Sequence, residues 1–402
     1  MTQINKEKIK NITYESVNCP ERFLSGKKMT VEVLEKALFD AIKKIDKLWE
    51  DVNGEFPSPA SYDNRYKQID NYTSEGWGTG FWTGMLWLAY DATGDIKYKE
   101  RALSHIDSFY RKIRDKSGVN HHDMGFLYVP SCVAAYKTTG DEQAKIAALM
   151  AADHLLTRYI NEGNFIQAWG TVGASLRLII DCMNNIPLLY WAAEVTGDKN
   201  YYEKAYNHAV TTINNIVRSD GSTYHTFFFT SDGTPERGTT HQGASDDSCW
   251  ARGQAWIVSG LPLSYKYTKE EELVSLFEKV ANYFINRLPE DFIPYWDLSF
   301  GDGSGQERDS SSASIAACGF LEMIPHIKDA ELRAVYEGVV DKIMYSLYTN
   351  YSTKDTPESN GLLLHAVYGK PQNTGVDECN IWGCYYYMEA LVRMLKGTKA
   401  YW

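Results

Sequence analysis

The chain has 402 residues, of which 44% are hydrophobic and 23% are charged. This composition is typical of a globular protein with a large core, so it excludes an intrinsically disordered chain and a small disulfide-stabilised scaffold. With 41 basic and 52 acidic side chains, the formal net charge is −11, which disfavours nucleic acid and anionic membranes as partners.

The first ten residues, MTQINKEKIK, contain no apolar segment of the kind found in secretory signals. No run of residues is long and apolar enough to predict a membrane span. Seven cysteines are spread along the chain without a CxxC pair or a metal-type spacing. These features predict a cytoplasmic protein with reduced thiols, without a membrane partner and without a cofactor.

We expect residues 1–28 to form an N-terminal extension that packs on or beside the main domain. From residue 31 onwards, two kinds of helical segment alternate. The first kind has apolar residues at spacings of three and four with polar residues between them, which is typical of half-exposed helices. The segments of this kind are 31–49, 98–113, 142–159, 201–217, 270–288 and 330–348.

The second kind of segment is rich in Gly, Trp and Leu and has few charges, which predicts helices that are buried on most sides. Thr-Gly-Asp sequences at 93–95, 139–141 and 196–198 separate the two kinds, because Gly favours the end of one helix and Asp caps the next. The segments of the second kind are 77–92, 124–138, 181–195, 251–267, 311–324 and 383–395.

Six helical hairpins of about sixty residues each predict an all-α, single-domain (α/α)6 barrel over residues 1–402. In this architecture six inner helices are surrounded by six outer helices. An open α-solenoid of stacked hairpins is the alternative. Closure is favoured because the inner helices are too apolar to line an open concave surface, and because the long connections all precede inner helices.

In such a barrel, the connections that precede the inner helices surround the mouth of a central cavity. Most of them combine Gly, aromatic and acidic residues where a simple turn needs only small polar residues. They are residues 74–82, 120–128, 179–185, 240–256, 307–319 and 374–389. We therefore expect the functional site at this end of the barrel.

Asp181 is the strongest candidate for a reactive group, because it lies within the apolar sequence LRLIIDCMNNIPLLYW. An ionised and unpaired carboxylate would be costly to bury there, and a cavity-facing acid with a raised pKa explains it. Asp123 follows two histidines and is either a helix N-cap or a second functional carboxylate. Two carboxylates on neighbouring inner helices are the arrangement that general acid–base chemistry on a sugar requires.

Other side chains in the same connections leave alternatives open. Arg252, in WARGQAW, is either a cation stacked on tryptophan or an anchor for a substrate carboxylate, and His241 and Gln242 nearby favour the anchor. Spacing alone does not rank the remaining carboxylates, which are Asp246, Asp247, Asp309, Asp377 and Glu378. The histidines show no HExxH or comparable spacing, so we expect no metal site.

Eight motifs, in order along the chain, resemble those of the unsaturated glucuronyl hydrolases of glycoside hydrolase family 88. The motifs read HHDMGFLY, FIQAWG, RLIIDCMNNIPLLYWA, STYHTFFF, THQGASDDSCWARGQAW, YWD, RDSSSASIAACG and IWGCYYYMEAL, and the resemblance as a whole runs from about Gly76 to Tyr401 and Trp402. The resemblance implies an (α/α)6 barrel. It also implies an enzyme that releases the 4,5-unsaturated uronic acid which polysaccharide lyases leave at the non-reducing end of glycosaminoglycan oligosaccharides. The implied substrates are unsaturated hyaluronan, chondroitin or heparin disaccharides.

The reaction that the resemblance implies is hydration of the C4=C5 vinyl ether. By motif position, Asp181 is the acid/base that protonates C4 and activates the water that adds to C5, and Asp123 is the second essential carboxylate. The resemblance further implies a set of substrate-binding residues, namely Trp77, His122, Trp169, His225, Gly238, Thr240, Gln242, Trp250, Arg252, Trp256 and Tyr368.

Two other functions compete with this one. The related unsaturated rhamnogalacturonyl hydrolases share the barrel and the chemistry but act on pectin fragments. A sugar-binding or scaffolding α-repeat protein without catalysis does not explain a carboxylate at Asp181 in an apolar helix start. Relatives bind sulfate through Ser and Lys side chains of a C-terminal loop, and here the loop HAVYGKPQNTGVDE has Lys370 and Thr374 but no serine, which puts a preference for sulfated substrates in doubt.

Overall fold

An N-terminal extension precedes the first long helix and packs against the outer surface of the molecule. The computed structural model describes residues 2–74 and 76–402. The extension contains two short helices, α1 (Lys6–Asn11) and α2 (Glu21–Leu24). The ammonium group of Lys279 donates hydrogen bonds to the carbonyl oxygens of Ile9 and Ile12, at 2.7 and 2.6 Å. Backbone carbonyls thereby solvate a lysine that is only 8% exposed.

The long helices alternate between half-exposed and buried positions, as the two kinds of segment predict. The half-exposed set comprises α3 (Val31–Asp51), α5 (Ile96–Ser104) with α6 (Ile106–Arg114), α9 (Glu142–Leu156), α11 (Lys199–Ile216), α13 (Glu271–Ile285) and α15 (Ala330–Ser346). The buried set comprises α4 (Thr79–Thr93), α7 (Met124–Tyr128) with α8 (Ala134–Thr139), α10 (Pro187–Thr196), α12 (Ala251–Thr268), α14 (Ser310–Met323) and α16 (Ile381–Lys396).

The buried helices form a closed ring. Each contacts the next one in the chain, and α16 packs against α4, which closes the circle. The half-exposed helices pack outside them, for example α13 on α12 and α11 on α10. The described residues therefore form the predicted (α/α)6 barrel, and the open solenoid is excluded.

Three sharp turns connect inner helices to outer ones in the way that the Thr-Gly-Asp sequences predict. Gly94, Gly140 and Gly197 adopt left-handed backbone conformations at the ends of α4, α8 and α10. The aspartate that follows each glycine accepts a backbone hydrogen bond from the first turn of the next helix. These turns fix the end of the barrel opposite the long connections.

Two inner helices are less regular than the sequence predicts. The segment 124–138 is interrupted by a π-helical turn, Val129–Val133, which contains Pro130 and therefore lacks one backbone donor. The segment 181–195 begins with a 3₁₀ turn, Ile180–Asn184, and α10 starts only at Pro187, which suits the first turn of a helix. Short 3₁₀ or π turns also occur at Ile324–His326, Leu347–Tyr351 and Thr353–Asp355.

Short antiparallel strands in the long connections were not predicted from the sequence. They form four small sheets: β1 (Phe56–Pro57) with β2 (Gln68–Ile69); β3 (Tyr159–Ile160) with β4 (Phe165–Ile166); β5 (Arg177–Ile179), β6 (Thr226–Phe229) and β7 (Pro235–Thr239); and β8 (Ala366–Gly369) with β9 (Thr374–Glu378). In the three-stranded sheet, Ile179 pairs with Thr226 and Phe227 with Gly238. These sheets give the connections around the cavity mouth a fixed shape.

No helix in the described ranges is long and apolar enough to cross a membrane.

Candidate active site

A cavity of about 370 Å³ opens where the connections preceding the inner helices meet. This volume lies within the range expected for small-molecule sites. Ten of the thirteen residues that the sequence analysis selected lie on its wall, namely Trp77, His122, Asp123, Trp169, Asp181, Gln242, Trp250, Arg252, Trp256 and Tyr368. The sequence therefore predicted both the end of the barrel and most of the wall.

Two carboxylates and one imidazole form the polar centre of this cavity. Nε2 of His122 lies 3.4 Å from Oδ1 of Asp123 and 3.4 Å from Oδ1 of Asp181. One ligand atom from each of the three residues lies within 4.8 Å of the others. The two carboxylates therefore face the same small part of the cavity. Two carboxylates must be this close together if both are to contact the reacting atoms of one substrate.

Backbone pairing positions both carboxylates. The backbone NH of His122 donates to the carbonyl of Ala168 at 3.0 Å, so the segment before α7 is held against the segment before β5. The backbone NH of Ile180 donates to the carbonyl of His225 at 3.1 Å, which extends the β5–β6 pairing to the residue before Asp181. Asp181 is therefore presented from a fixed turn at the end of a strand.

Asp123 stands at the N-cap of α7, but its side chain makes no capping hydrogen bond. Instead, Nδ2 of Asn185 donates to its Oδ1 at 3.3 Å, and its Oδ2 lies 3.1 Å from Nδ1 of His121. A Cβ atom on Gly125 would lie 2.3 Å from Cα of Asn185, so only glycine lets the start of α7 approach Asn185 this closely. This geometry favours the interpretation of Asp123 as a functional carboxylate over its interpretation as a helix N-cap.

The environment separates the pKa values of the two carboxylates. Burial raises the pKa of Asp181 well above its usual value, and the negative charge of Asp123 raises it further, while Arg252 offsets part of this effect. Burial alone would also raise the pKa of Asp123, but the imidazoles of His122 and His121 and the amide of Asn185 lower it below its usual value. One carboxyl is therefore poised to carry a proton and the other to remain ionised.

His122 is a neutral spacer between the carboxylates at neutral pH. Its side chain is 2% exposed, and burial lowers its pKa to about 4. Within the described part of the chain, neither ring nitrogen has a hydrogen-bond partner, and the same holds for Oδ1 of Asp181. Unpartnered polar atoms that face a cavity are the groups that a bound polar ligand satisfies.

Aromatic rings form the apolar part of the wall. Trp77 stacks on Trp382 with ring centroids 4.5 Å apart, and its indole NH donates to the hydroxyl of Tyr368 at 3.0 Å. The guanidinium carbon of Arg177 lies 4.4 Å from the ring centroid of Trp169. These contacts hold the rings rigidly, and rigid aromatic faces suit the C–H faces of a sugar.

Arg252 lies on the wall, but protein groups already occupy its guanidinium. Its Nη1 lies 3.2 Å from Oδ2 of Asp309 and also donates to the carbonyl of Val367, and its Nη2 donates to the carbonyl of Tyr368 at 2.6 Å. The guanidinium carbon lies 4.3 Å from the ring centroid of Trp250. The structure thus makes Arg252 a stacked and ion-paired structural cation that also lines the cavity.

The structure does not place His225, Gly238 or Thr240 on the cavity wall. His225 is 4% exposed and acts behind the wall, where its Nε2 lies 3.2 Å from Oε1 of Gln242. Gln242 in turn donates from Nε2 to the carbonyl of Tyr368 at 2.7 Å. His225 therefore orients Gln242, which does line the cavity.

The contacts of Gly238 and Thr240 are with other residues of the protein. Gly238 lies in β7, where a Cβ atom would lie within 2.4 Å of ring atoms of Tyr224, so the position requires glycine for packing. The hydroxyl of Thr240 accepts a hydrogen bond from the backbone NH of Gly243 at 2.7 Å. Neither residue lies on the cavity wall, and direct substrate contact by Gly238 and Thr240 stays a prediction.

The structure adds residues that are not among these thirteen, although the sequence analysis mentioned His241, Asp309 and Thr374 without a role of their own. The additional wall residues are Ile179, His241, Gly369, Gln372 and Thr374. Behind the wall, Asn185 supports Asp123, and Asp309 pairs with Arg252. A buried carboxylate needs a partner, so Asp309 in the apolar sequence around RDSSSASIAACG was a signal for that ion pair.

His122, Asp123 and Asp181 also have the composition of a small metal site. Imidazole nitrogen and carboxylate oxygen are ligands for Zn²⁺ and related ions. Asp181 is too far from His122 and Asp123 in the sequence for a spacing rule to detect the three together. The same three residues form the polar centre of the cavity, and the absence of a functional metal stays a prediction.

Comparisons with known proteins agree with this geometry. The model for Glycosyl Hydrolase Family 88 matches residues 48–398. An unsaturated chondroitin disaccharide hydrolase from Streptococcus pneumoniae is 45% identical over 398 residues, which cover 98% of this chain and 100% of the relative. An unsaturated glucuronyl hydrolase from Bacillus sp. strain GL1 is 38% identical, with 86% of this chain and 93% of the relative covered.

Solved structures give the same result. A crystal structure of an unsaturated glucuronyl hydrolase from Streptococcus agalactiae superimposes with a TM-score of 0.94 at 45% identity, and covers 97% of this chain and 99% of that chain. A variant of an unsaturated glucuronyl hydrolase from the same organism, in complex with dGlcA-GalNAc6S, has a TM-score of 0.89 at 42% identity over the full length of both chains. The chain therefore belongs to glycoside hydrolase family 88.

Proposed function

We propose that this chain releases the 4,5-unsaturated uronic acid from the non-reducing end of unsaturated chondroitin or hyaluronan disaccharides. The observation that carries the proposal is the pair Asp123 and Asp181, which share one cavity but have pKa values shifted in opposite directions. Relatives that are named unsaturated chondroitin disaccharide hydrolases match 98% of the chain, which supports the substrate class.

The reaction that suits this pair is hydration of the C4=C5 double bond. The protonated carboxyl of Asp181 donates its proton to C4, and positive charge develops on C5 and the ring oxygen. The resulting carboxylate of Asp181 then takes a proton from water, and the hydroxide adds to C5. The hemiketal opens and the second sugar leaves, so Asp181 ends the cycle protonated as it began.

Asp123 has a complementary role in this proposal. Its lowered pKa keeps it ionised, so it accepts hydrogen bonds from substrate hydroxyls and stabilises the positive charge that develops on the ring. Its charge also helps to keep the proton on Asp181. Removal of Asp123 would therefore affect both substrate positioning and the protonation of the acid.

His122 is a positioning residue that separates the two carboxylates. The neutral ring adds no net charge, and its Nε2 lies within 3.4 Å of an oxygen of each carboxylate. Its Nε2 has no hydrogen-bond partner in the described part of the chain, so it remains available to a substrate hydroxyl that binds between Asp123 and Asp181.

Recognition of the uronate carboxylate falls to Arg252 and Gln242. Arg252 is the cation on the wall of a cavity whose centre holds two acidic side chains, and an anionic substrate needs local positive charge in a protein of net charge −11. Gln242 has its amide aligned by His225 and the Tyr368 carbonyl. Trp77, Trp169, Trp250 and Trp256 supply the apolar faces for the sugar rings.

The test is a spectrophotometric assay of the purified chain with a panel of lyase-generated substrates. Loss of the ultraviolet absorbance of the conjugated uronate is expected with unsaturated chondroitin and hyaluronan disaccharides. Turnover of unsaturated rhamnogalacturonan fragments instead would assign the chain to the pectin-degrading activity. Binding without any loss of absorbance would identify a sugar-binding protein without catalysis.

We also propose that the chain acts in the cytoplasm. All seven cysteines lie within the described residues as free thiols, and six of them are buried. Burial raises the pKa of Cys132 to about 12, so this thiol stays protonated and unreactive. Cell fractionation with an antibody to the chain would test the location.

A further inference from the structure

A buried arginine lies behind the wall of the cavity and has no acidic partner among the described residues. Arg158 follows the end of α9 (Glu142–Leu156) and is 2% exposed. Its guanidinium donates to two backbone carbonyls and to one side-chain amide, and it forms no salt bridge in the part of the chain that the structure describes. A charge without a counter-charge is costly to bury. The position of Arg158 therefore calls for a function of its charge or of its hydrogen bonds.

The three hydrogen bonds of this guanidinium join two segments of the cavity wall. Its Nε donates to the carbonyl of Gln167 and its Nη2 to the carbonyl of Gly170, each at 2.9 Å, and these two residues flank Trp169. Its Nη1 donates to Oδ1 of Asn120 at 2.8 Å, three residues before Asp123. One planar guanidinium thus fixes the segment that carries the indole relative to the segment that carries the carboxylate.

The segment that carries Trp169 depends on Arg158 for its position. The backbone NH of Gln167 donates to the carbonyl of Arg158 at 2.9 Å. The side-chain amide of Gln167 then donates to the carbonyls of Trp169 and Thr171 at 3.1 and 2.9 Å and accepts from the backbone NH of Gly173 at 2.8 Å. A shift of the arginine would therefore be transmitted to the indole on the cavity wall.

The charge of Arg158 lies close enough to Asp123 to act on it. Burial lowers the pKa of Arg158, and the negative charge of Asp123 offsets part of this effect. Because the attraction is mutual, the guanidinium stabilises the ionised form of Asp123. Arg252 acts on Asp181 in the same way, so each carboxylate has a buried arginine within reach of its charge.

Other titratable groups face the same two residues. Those that face Asp123 are His121 and His122 from its own segment, Asp181 from the turn after β5, and Tyr368 from β8. Those that face Arg158 are His154 from α9, His122, and Arg177 from β5. After burial, the two imidazoles beside Asp123 have the largest effects on its pKa. We therefore expect the effect of Arg158 on Asp123 to be smaller than theirs.

We propose that Arg158 is a positioning residue of the cavity, which holds Trp169 against the segment of Asp123 and places a positive charge behind that carboxylate. This inference rests on the proposed function, in which Asp123 acts as an ionised group and Asp181 as a protonated one. The acid limb of the pH profile of kcat/KM then reports mainly on Asp123. Loss of the hydrogen bonds should raise KM, whereas loss of the charge should move the acid limb to higher pH.

Two variants of Asn120 separate the hydrogen bond from the charge, and Asn120 is exposed, so neither disturbs the core. Asn120→Ala removes the acceptor and leaves the charge of Arg158. We expect KM for an unsaturated chondroitin disaccharide to rise by about threefold to tenfold, the scale of one lost hydrogen bond to a charged group, with the acid limb in place. Asn120→Asp keeps an acceptor but neutralises the guanidinium. The acid limb should then move up by about half a pH unit, and KM at the pH optimum should change by less than about twofold.

Variants of the arginine itself test the same division. Arg158→Lys keeps the charge but loses the planar fork, so KM should rise while the acid limb stays in place. Arg158→Met loses both, so KM should rise and the acid limb should move to higher pH. Matched controls are Asn200→Ala and Asn200→Asp, since Asn200 is exposed in the first turn of α11, which directly follows the Gly197 turn at the opposite end of the barrel. Both controls should leave KM and the pH profile unchanged.

Thermal unfolding monitored by circular dichroism accompanies each variant, and the Asn120 variants decide the question if Arg158→Met does not fold. Unchanged KM in Asn120→Ala, or an acid limb that stays in place in Asn120→Asp, would overturn the inference. A loss of kcat at every pH that follows loss of stability, without a change in KM or in the acid limb, would give Arg158 a structural role only and would also overturn it. Absence of disaccharide turnover by the unmodified chain would instead remove the proposed function, before any variant is compared.

Discussion

Nε2 of His122 lies 3.4 Å from Oδ1 of Asp181, and neither atom has a hydrogen-bond partner in the described part of the chain. Burial keeps the imidazole neutral, with a pKa of about 4, and the same burial raises the pKa of the carboxyl. The contact is therefore between a neutral imidazole and a carboxyl group for which burial favours the protonated form. It leaves the proton of Asp181 available to a substrate in the cavity.

Asp181→Asn should reduce kcat by two or more orders of magnitude, the usual scale for loss of a general acid. The amide cannot deliver a proton to C4, and it cannot activate water afterwards. Turnover measured by loss of ultraviolet absorbance checks this, with circular dichroism to verify the helical content. A variant with nearly unchanged kcat would show that another group is the acid.

The same variant should be more stable than the unmodified chain at neutral and alkaline pH. Because the folded-state pKa of Asp181 is raised, its contribution to stability is complete below the unfolded value of about 3.9 and is lost as the pH rises through the folded value. Asparagine carries no charge to bury. We expect a higher Tm for Asp181→Asn at pH 8, on the order of 2 °C.

The pH dependence of that difference is the decisive measurement. The two Tm values should converge as the pH falls towards the unfolded pKa, because Asp181 of the unmodified chain is then protonated in the folded and the unfolded state alike. A difference that is constant with pH would mean that folding does not raise the pKa of Asp181.

Asp123→Asn should bind substrate but turn it over at least about 100-fold more slowly. The change removes the negative charge that raises the pKa of Asp181 and that stabilises the developing positive charge. The pH profile of the residual kcat/KM should shift towards lower pH, since Asp181 would lose its proton more easily. A variant with unaltered activity would return Asp123 to a purely local role at the start of α7.

The helical pattern of the fold was predictable because burial and spacing are local properties of the sequence. Segments such as 251–267 have few charges, and α12 is buried along most of its length. The hairpin β8–β9 was not predicted, because its strands are short and their pairing depends on packing against loops far away in the chain. The local hydrophobic pattern of the sequence therefore predicts the helices of the barrel but not the small sheets around its mouth.

In the candidate site, too, some residues could be predicted from local sequence and others could not. Asp181 stood out because an acid in an apolar segment is costly to bury. Gln372 and Thr374 did not stand out, since polar residues in a turn are common and only the folded hairpin brings them to the cavity. The ion pair between Arg252 and Asp309 joins residues 57 positions apart, a pairing that no periodicity encodes.

Activity should survive exhaustive treatment with EDTA, because the proposed hydration needs only a proton donor and water. Added Zn²⁺ should inhibit, since His122, Asp123 and Asp181 can bring three ligand atoms within 4.8 Å of one another, and a bound cation would displace the proton from Asp181. Loss of activity on chelation, with recovery on adding a divalent ion, would contradict both expectations and place a metal in the reaction.

Arg252→Ala should destabilise the fold as well as the reaction. Arg252 and Asp309 have side-chain exposures of 1% and 0%, so removal of the guanidinium leaves a buried carboxylate without its counter-charge, at a cost of about 3–5 kcal/mol in the free energy of unfolding. Chemical denaturation monitored by circular dichroism measures this effect. The single variant therefore does not report on substrate binding alone.

The double variant Arg252→Gln with Asp309→Asn separates the two roles, because it removes both charges and leaves no unpaired ion in the core. Its free energy of unfolding should recover most of the loss seen in Arg252→Ala. If Arg252 also attracts the uronate, kcat/KM in the double variant should still be weakened by about 2–4 kcal/mol of transition-state stabilisation, the scale for a charged partner in a desolvated site. A stable double variant with full kcat/KM would mean that Arg252 serves the fold alone and that Gln242 and its neighbours hold the carboxylate.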